Sequence, residues 1–463
     1  MDSIDKILNE VVKQITPTKE ERKEAESVIR KILRVTDQIT KKKFEKTIAG
    51  SFIRDTWLRD KKEFDLFILF PTKYKKEQLE KIGLKLGKKI IEAMKGKYEI
   101  AYAEHPYVRG EVGGYKIDIV PCYKVKSASE IKSSVDRTPF HNKYIIKNLK
   151  KKMSNDVRLL KQFMKSIGVY GSDMKTLGFS GYLCELLIIK YGSFKNLVKK
   201  ASEWKPGVFI DLENHSTIKN IAEYFRNQPL IVIDPTDPKR NVAAAVSPEN
   251  FIIFVNACKR FLENPNKDMF FGEKKAMAKV EIEEIIKKRG VNFIVISFLR
   301  PKVVDDILWP QLRRTAKRVA DFLEENEFKV LNHAVFSNHR SYMIFEMEVW
   351  ELPNVKKVLG PPIFSEKHSN QFLSKYKNNR ILIEDVRWAA EIERVYKNAE
   401  KILYDFLSSP QEKLKESGIG SYIAESLSKG FEILDNREMM HLIEFDQEFR
   451  TFISQYLSKN LGQ

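Results

Sequence analysis

The segment Phe64-Asp-Leu-Phe-Ile-Leu-Phe70, which ends at Pro71, predicts a β-strand with two carboxylates, Glu63 and Asp65, at its start. Tyr115-Lys-Ile-Asp-Ile-Val120 predicts a second strand with an acid, Asp118, among apolar residues. Both segments are short, rich in β-branched or aromatic residues and followed or ended by proline, as strands are. Glu63 and Asp65 are two residues apart and therefore project from the same face of their strand. A carboxylate in such apolar sequence is costly to bury unless it is paired or binds a metal ion.

Three carboxylates on neighbouring strands are suitable ligands for two Mg²⁺ ions, which can hold a triphosphate and activate an attacking hydroxyl. Gly50-Ser51 lies between an apolar strand, residues 47–49, and a segment for which we expect a helix. Backbone N–H groups and a serine hydroxyl at such a turn can bind phosphate oxygens. Each of these features alone is commonplace, but the turn, the acidic pair and the third acid follow one another in order.

Helical periodicity predicts two helices in the first fifty residues, the second opened by a capping box from Thr18 to Glu21. A helix over residues 78–93 and a strand over residues 98–108 follow between the two acidic strands. This order of elements predicts a small α/β or α+β domain that ends near residue 140.

Residues 141–205 predict helices with a basic bias, because they contain fourteen Lys or Arg against four Asp or Glu. Such a charge run is often only a solvated face, but the interleaved aromatic residues, including Phe179 and Tyr182, suggest stacking beside phosphate-binding charge. Residues 206–257 predict a loop-rich connection that contains Arg240 and ends in a helix. A second α/β pattern occupies residues 291–350, and helices are expected beyond residue 380.

The chain has 463 residues and a net charge of +19, with a pI near 9.4, which favours a polyanionic partner such as nucleic acid. No apolar run approaches the roughly 18–20 residues of a membrane-spanning helix. The first residues have no signal-peptide pattern, and the three cysteines lie far apart. We therefore expect no membrane association, no disulfide scaffold and a cytoplasmic location.

Gly50-Ser51, followed after eleven residues by Glu63-Phe-Asp65 and by a later acid, resembles the nucleotidyltransferase superfamily of DNA polymerase β and poly(A) polymerases. More specifically, the chain resembles the archaeal, class I CCA-adding enzymes. The segments that carry this resemblance are GSFIRDTWL (50–58), AEHPYVRGEV (103–112), DIVPCYKV (118–125), SSVDRTPFHNKY (133–144), GFSGYLCELLI (178–188), DPKRNVAA (237–244) and VVDDILWPQL (303–312).

The resemblance implies an α+β multidomain fold, with an N-terminal nucleotidyltransferase α/β head, a helical neck, and body and tail domains of mixed α/β structure. Its implied boundaries are residues 1–140 for the catalytic head, 141–257 for the neck, 258–290 with 380–463 for the body, and 291–379 for the tail. It further implies a homodimer that binds the acceptor and TΨC arms of tRNA. The tail domain is one of the parts that would contact the tRNA.

The implied activity is template-independent addition of CCA to the tRNA 3′ end from CTP and ATP, with two Mg²⁺ ions. The implied catalytic and metal-binding residues are Glu63, Asp65 and Asp118. The implied nucleotide-binding residues are Ser51, Arg54, Thr138, His141, Lys161, Tyr170 and Arg240, with Arg240 reading the base edge.

Other interpretations stay open from the residues themselves. Arg54 and Lys161 are equally compatible with surface charges, Tyr170 with a core position, and His141 with a helix-cap hydrogen bond. For the whole chain, one alternative is a poly(A) polymerase or another RNA terminal nucleotidyltransferase, which would add one nucleotide repeatedly. The other is a non-catalytic RNA-binding relative, although retention of all three acids and Ser51 argues against it.

Overall fold

The computed structural model describes residues 3–102, 105–127, 130–215, 225, 227–272 and 276–458. The chain forms two compact units, Met1–Glu273 and Lys274–Gln463. The segment 258–290, expected to belong to one body domain, crosses this boundary, and the four-domain division stays a prediction. Within the described ranges, none of the helices is both long and apolar enough to cross a membrane.

The first unit combines a five-stranded sheet with a bundle of helices. Its helices are α1 (Ser3–Ile15), α2 (Lys19–Thr40), α3 (Lys76–Ala93), α4 (Thr138–Asn148), α5 (Ser154–Ser166), α6 (Gly181–Tyr191), α7 (Phe194–Ala201), α8 (Pro248–Glu263) and α9 (Asp268–Phe271). Its strands are β1 (Glu45–Ala49), β2 (Glu63–Pro71), β3 (Lys97–Tyr102), β4 (Pro106–Val112), β5 (Tyr115–Lys124), β6 (Val208–Ile210), β7 (Leu230–Asp234) and β8 (Asp237–Asn241).

The five-stranded sheet has the order β1-β2-β5-β4-β3, with β2 and β5 parallel and the other neighbours antiparallel. The predicted strands at residues 64–70 and 115–120 are thereby confirmed, and they lie within the neighbouring central strands β2 and β5. The single strand expected over residues 98–108 is wrong, because β3 and β4 form two antiparallel strands there. Residues 103 and 104 of that prediction lie outside the described part of the chain.

The capping box that opens α2 is confirmed by reciprocal hydrogen bonds. The Glu21 amide donates to Thr18 Oγ1 at 3.1 Å, and the Thr18 amide donates to Glu21 Oε2 at 2.7 Å. The helix expected directly after Gly50-Ser51 is wrong, because residues 51–55 form consecutive turns. Asp55 has a φ of 53°, and this left-handed conformation is incompatible with a continuing helix.

The connection expected to be loop-rich, residues 206–257, contains a small sheet of order β6-β7-β8. β7 is buried along its whole length, and the proline-rich stretch after it makes a tight turn into β8. Arg240 consequently lies on strand β8 and not in the loop that the sequence predicts. The prolines hid this strand pair because they precede and open β8 without interrupting β7.

Helices α5, α7, α8 and α9 pack together through a cluster of four phenylalanines, one from each helix. Phe163, Phe194, Phe261 and Phe270 have ring centroids 5.5–5.8 Å apart, and each is at most 1% exposed. Phe179 is also fully buried, against Phe254, so it does not offer the stacking surface expected from its place in the basic segment.

The second unit contains a four-stranded and a three-stranded sheet, of order β10-β11-β9-β15 and β12-β14-β13. Its strands are β9 (Asn292–Leu299), β10 (Lys329–Ser337), β11 (Arg340–Val349), β12 (Val355–Pro362), β13 (Arg380–Glu384), β14 (Arg387–Glu393) and β15 (Phe431–Leu434). Its helices are α10 (Lys279–Arg289), α11 (Asp305–Glu325), α12 (Glu366–Lys375), α13 (Ala399–Leu407), α14 (Gln411–Glu416), α15 (Ser421–Leu427), α16 (Asn436–Phe445) and α17 (Gln447–Leu457). The α/β pattern at residues 291–350 is confirmed, but the region beyond residue 380 is not purely helical, since β13, β14 and β15 lie in it.

The aromatic cluster yields a stability prediction. Phe163→Ala should lower the free energy of unfolding by about 3–5 kcal/mol, because it opens a cavity among three further rings that cannot close it. Phe364→Ala removes an equal volume from a side chain that is 86% exposed and should change stability by less than about 0.5 kcal/mol. Urea denaturation of both variants measures the difference, and equal effects would contradict this account of the core.

Candidate functional site

Two of the predicted acids lie side by side at the centre of the sheet. The parallel register of β2 and β5 pairs Asp65 with Asp118 directly. Arg109, on β4, faces Asp118 and donates to both of its carboxylate oxygens, from Nε and Nη2, at 2.9 Å each. The same Nη2 donates to the hydroxyl of Tyr107 at 2.7 Å. Asp118 is thus neutralised by a bidentate ion pair.

Asp65 has no such partner: none of the described residues forms a hydrogen bond or ion pair with its carboxylate. Burial, followed by the neighbouring charges of Asp118 and Glu63, raises the pKa of Asp65 to about 7. Arg54 and Arg109 oppose this rise but do not outweigh it. A partly buried carboxylate without a counter-charge is the arrangement that a bound cation would stabilise.

The third predicted acid, Glu63, is exposed, and its Oε1 lies 3.5 Å from Lys61 Nζ. Among the residues that the structure describes, no group of three or more His, Cys, Asp or Glu side chains is close enough to hold a metal ion. The oxygen donors of Asp65 and Asp118 nevertheless have the chemistry that Mg²⁺ prefers. Together with the unpaired carboxylate of Asp65, this donor set fits a divalent cation, with Glu63 two residues away on the same strand.

The Gly50-Ser51 turn lies against Asp65, at the end of β1. Gly50 has a φ of 91°, and a Cβ atom placed on it would lie 2.9 Å from Asp65 Oδ2. A side chain at this position would therefore be strained by the backbone and would also press on the carboxylate. Glycine allows the main chain of the turn and the Ser51 residue to approach the acids closely.

Arg54 and Lys161 both bind a buried acid that the sequence did not single out. Glu185, on α6, is fully buried; Arg54 Nη1 lies 2.7 Å from its Oε2, and Lys161 Nζ lies 3.8 Å from its Oε1. Arg54 Nε also donates to the Gly50 carbonyl at 3.0 Å. Lys161 is 2% exposed, which excludes the surface-charge interpretation, and Arg54 connects the turn to α6.

Thr56 completes this network between the turn and the helices. Its hydroxyl donates to Glu185 Oε1 at 2.5 Å, and its carbonyl accepts from Lys161 Nζ at 3.0 Å. The Tyr170 hydroxyl lies close by, 3.1 Å from the position that a Cβ on Gly181 would take. The charge of Arg54 lowers the pKa of Asp65, Tyr170 and His141 alike, so Arg54 lies within electrostatic range of all three.

A second buried acid, Asp234 at the end of β7, holds two other predicted residues. It is fully buried, and its Oδ2 accepts from His141 Nε2 and from Arg240 Nη1 at 2.8 Å each. Thr236 donates to Oδ1 through its amide and its hydroxyl, at 2.9 and 2.8 Å. The His141 ring also stacks on Tyr182, with centroids 4.0 Å apart.

The titration of this pair follows from burial and hydrogen bonding. Burial raises the pKa of Asp234, but the hydrogen bonds from His141, Thr236 and Arg240 outweigh it and hold that pKa well below its ordinary value. Burial lowers the pKa of His141 in spite of the neighbouring carboxylate. Neutral His141 therefore donates to a charged Asp234, and the helix-cap interpretation of His141 is wrong.

A cavity of about 1060 Å³ lies beside Arg240 and is also lined by Arg137, Ser172, Ser180 and Thr236. Arg137 donates to Asp237 Oδ2 at 3.0 Å, which ties the start of α4 to β8. Thr138 is the first residue of α4 and is partly buried. The cavity is large enough for a nucleotide-sized ligand.

Three residues that organise the site were missed by reading the sequence: Arg109, Glu185 and Asp234. Arg109 lies in the segment 103–112 that carries the family resemblance, where a single arginine in a strand gives no sign of its partner. The signal for Glu185 and Asp234 was a single acid within an otherwise apolar helix or strand, the same signal that identified Asp118.

Three family models match consecutive parts of the chain. A nucleotidyltransferase domain matches residues 29–141, the second domain of tRNA nucleotidyltransferase matches residues 155–271, and the C-terminal domain of CCA-adding enzyme matches residues 289–436.

Curated relatives match over nearly the whole length. The CCA-adding enzyme of Methanocaldococcus jannaschii is 38% identical over 446 residues, which cover 94% of this chain and 97% of that protein. The CCA-adding enzyme of Methanosarcina mazei is 38% identical over 460 residues, covering 96% and 97%. That of Archaeoglobus fulgidus is 37% identical over 442 residues, covering 94% and 96%.

The uncompensated carboxylate of Asp65 yields a prediction that needs no assay of activity. Asp65→Asn should raise the free energy of unfolding of the metal-free protein by on the order of 1–3 kcal/mol, because it removes a buried charge next to Asp118. Mg²⁺ should raise the thermal midpoint of the wild type and leave that of the variant almost unchanged.

The matched control is Asp60→Asn, whose acid is exposed and ion-paired with Lys165. It should keep the wild-type response to Mg²⁺. Equal stabilisation of the Asp65→Asn variant and the wild type by Mg²⁺ would contradict the assignment of Asp65 to a cation site.

Proposed function

The chain belongs to the family of archaeal CCA-adding enzymes, and on that basis we propose that it adds CCA to the 3′ end of tRNA without a nucleic-acid template. The substrates are CTP and ATP. The observation that carries the proposal is the Asp65–Asp118 pair beside the Gly50-Ser51 turn, in a chain of which 94% aligns with a CCA-adding enzyme at 38% identity. The C-terminal match at residues 289–436 favours CCA addition over poly(A) synthesis.

In this reaction the 3′ hydroxyl of the RNA attacks the α-phosphorus of the nucleotide, a new phosphodiester forms, and pyrophosphate leaves. Asp65 and Asp118, with Glu63, would hold two Mg²⁺ ions. Bound Mg²⁺ supplies charge that stabilises the transferring phosphoryl group and favours deprotonation of the attacking hydroxyl. Arg109 orients Asp118 by donating to both of its carboxylate oxygens.

The nucleotide site is built by the two networks around buried acids. The Ser51 hydroxyl and the N–H groups of its turn would bind triphosphate oxygens, while Glu185 orients Arg54 and Lys161 at the rear of the turn. Thr138, the first residue of α4, and Tyr170, in the segment between α5 and α6, would contact the nucleotide. His141 and Asp234 hold Arg240 at the cavity, where its remaining N–H groups would meet the base edge.

We further propose an oligomeric state, a set of tRNA contacts and a cellular location for the protein. The chain would act as a homodimer, and light scattering would measure its mass in solution directly. Its contacts on tRNA would be the acceptor and TΨC arms, bound through phosphates by a protein of charge +19. The three cysteines are unpaired and buried, in keeping with a reducing cytoplasm.

The test of the function is incubation of tRNA lacking its 3′ end with CTP, ATP and Mg²⁺, followed by sequencing of the product ends. The expected product ends in CCA, and CTP alone should yield addition of C residues only. A long run of A from ATP alone would establish the poly(A) polymerase alternative. The absence of any incorporation would establish the non-catalytic alternative.

Asp118→Asn should abolish nucleotide transfer and leave RNA affinity almost unchanged, because it removes a metal-binding charge but no contact with the RNA backbone. Gel analysis of extended product and filter binding of tRNA measure the two effects. Asp60→Asn, on the exposed segment before β2, is the control and should retain activity. Turnover within about tenfold of wild type would contradict the role of Asp118.

Arg240→Ala should lower kcat/KM for CTP and ATP. It should also bring these values closer to kcat/KM for UTP and GTP, so that the enzyme discriminates less between nucleotides. A guanidinium only donates hydrogen bonds, and cytosine (O2, N3) and adenine (N1) present acceptors on the base edge. Guanine N1 and uracil N3 carry N–H donors, which would face the N–H donors of Arg240. Each donor buried in this way without an acceptor costs about 1–3 kcal/mol of binding free energy.

Lys205→Ala is the control, because it removes the same charge from an exposed position that does not line the cavity. Relative kcat/KM values for the four nucleotides, together with tRNA affinity, distinguish the two variants. If Arg240→Ala keeps wild-type nucleotide choice and loses tRNA affinity, Arg240 is a phosphate contact and the base-reading role is wrong.

A further inference from the structure

A second, basic cavity lies at the far end of the two parallel strands that carry the acids. It has a volume of about 400 Å³ and is lined by Lys73, Lys75, Lys76 and Lys132, with Ser133 and Thr72 among the other lining residues. We call it the lysine cavity, after its four lysines. β2 runs six residues from Asp65 to its last residue, Pro71, so the lysine cavity lies about 20 Å along the strand from the acids.

The charges of the lysine cavity are largely uncompensated. None of the described residues forms an ion pair with Lys73, Lys75 or Lys76, and Glu77 is the one acid among the lining residues. Lys132 is held in place, because its Nζ donates to the Thr72 carbonyl at 2.9 Å and lies 5.0 Å from the Tyr123 ring centroid. Asp136 lies beside the cavity, where its Oδ2 accepts from the backbone amides of Lys132 and Ser133 at 2.9 and 2.8 Å. Four lysines therefore converge at a concave surface, and Glu77 and Asp136 offset only part of their charge.

The first turn of α3 adds backbone donors to these cations. Helix α3 is 18 residues long and begins at Lys76, directly after Lys75, which offers no capping side-chain bond. The N–H groups of the first helical residues have no intrahelical acceptor and carry the positive end of the helix dipole. Such an end favours a phosphate-type anion.

Ser133 is the independent observation that points to a ligand. Ser133 is only 8% exposed and lines the lysine cavity. Its Oγ is buried and has no hydrogen-bond partner among the described residues. A buried hydroxyl without a partner costs free energy that an acceptor in the cavity would recover. Ammonium, amide and hydroxyl donors together match the oxygens of a phosphate group.

We propose that the lysine cavity binds a phosphate group, and that this group is a backbone phosphodiester of the bound RNA. The identification of the RNA rests on the proposed function. At about 20 Å from Asp65, the cavity is too distant to hold the phosphates of a nucleotide that reacts at the acids. It would instead hold the RNA at a point remote from the reacting end.

The test compares three variants of the full chain. Lys75→Gln with Lys76→Gln removes two charges from the cavity. Lys81→Gln with Lys85→Gln removes two exposed charges from the same helix, outside the lining residues, and is the matched control. Ser133→Ala removes only the unpartnered hydroxyl, so its thermal midpoint should equal or exceed that of the wild type.

Affinity for tRNA lacking its 3′ end is measured by filter binding between 50 and 300 mM NaCl. The cavity double variant should lose about five- to eightfold in affinity at 0.1 M salt for each phosphate contact removed, and its log–log salt slope should fall by about 0.7–0.9 per contact. The control should lose clearly less in both measures. Ser133→Ala should lose about two- to tenfold in affinity.

A second arm separates an RNA phosphodiester from a free anion. Pyrophosphate and inorganic phosphate are titrated with the wild type and each variant, and ³¹P line broadening reports binding. If cavity variants and control bind RNA equally but only the cavity variants lose pyrophosphate or phosphate, the phosphate site stands and its assignment to RNA is overturned. If cavity variants match the control in both arms, the whole proposal is overturned.

These outcomes are distinct from a failure of the proposed function. If the wild type does not add CCA, that function fails, while the comparison of variants in the two binding arms still decides the lysine cavity. If the wild type adds CCA and the cavity variants bind RNA and anions like the control, only the inference about the cavity fails.

Discussion

The parallel pairing of β2 with β5 brings Asp65 and Asp118 to the same level of one sheet, and the two carboxylates repel each other there. The surrounding structure compensates them unequally. Arg109 binds both oxygens of Asp118, whereas Asp65 keeps a carboxylate without an ion pair among the described residues. Because the negative charge of Asp65 is not balanced, this part of the sheet is suited to a divalent cation. Gly50 has no side chain and therefore leaves space next to the Asp65 carboxylate.

Two buried acids position the basic side chains of the candidate site. Glu185 joins Arg54 and Lys161, and Asp234 joins His141 and Arg240, so each acid connects separate elements of the first unit. A buried ion pair contributes little net stability, but removing one partner leaves an uncompensated charge. Such acids therefore matter chiefly because they fix the direction of a flexible basic side chain.

The two ends of the same strand pair differ in charge. Acids lie at the start of β2 and β5, and the lysine cavity lies beyond the end of β2. Since the strands are parallel, both begin at one edge of the sheet and end at the other. The acids and the lysines are about 20 Å apart, which exceeds the distance over which salt screens charges. One end of the strands can therefore bind a cation and the other an anion, because the two sets of charges do not cancel each other.

Much of the fold and part of the site could be predicted from the sequence, because the signals are local. The apolar strands, the α2 capping box, the three acids and the Gly-Ser turn each depend on residues within a few positions of one another. The division of residues 98–108 into β3 and β4 was missed because no Gly or Asn turn signal separates the two strands in the sequence. β8 was missed because prolines precede it.

What only the tertiary structure decided is which charges meet. Thr56 and Glu185 are 129 positions apart in the sequence, and His141 and Asp234 are 93 apart, so no spacing rule connects them. The sequence by itself determined that acids occur in apolar strands and that the chain is strongly basic. The fold decided that Asp118 is neutralised, that Asp65 is not, and that Arg54 and Lys161 are held by a buried acid, because these contacts depend on which elements pack together.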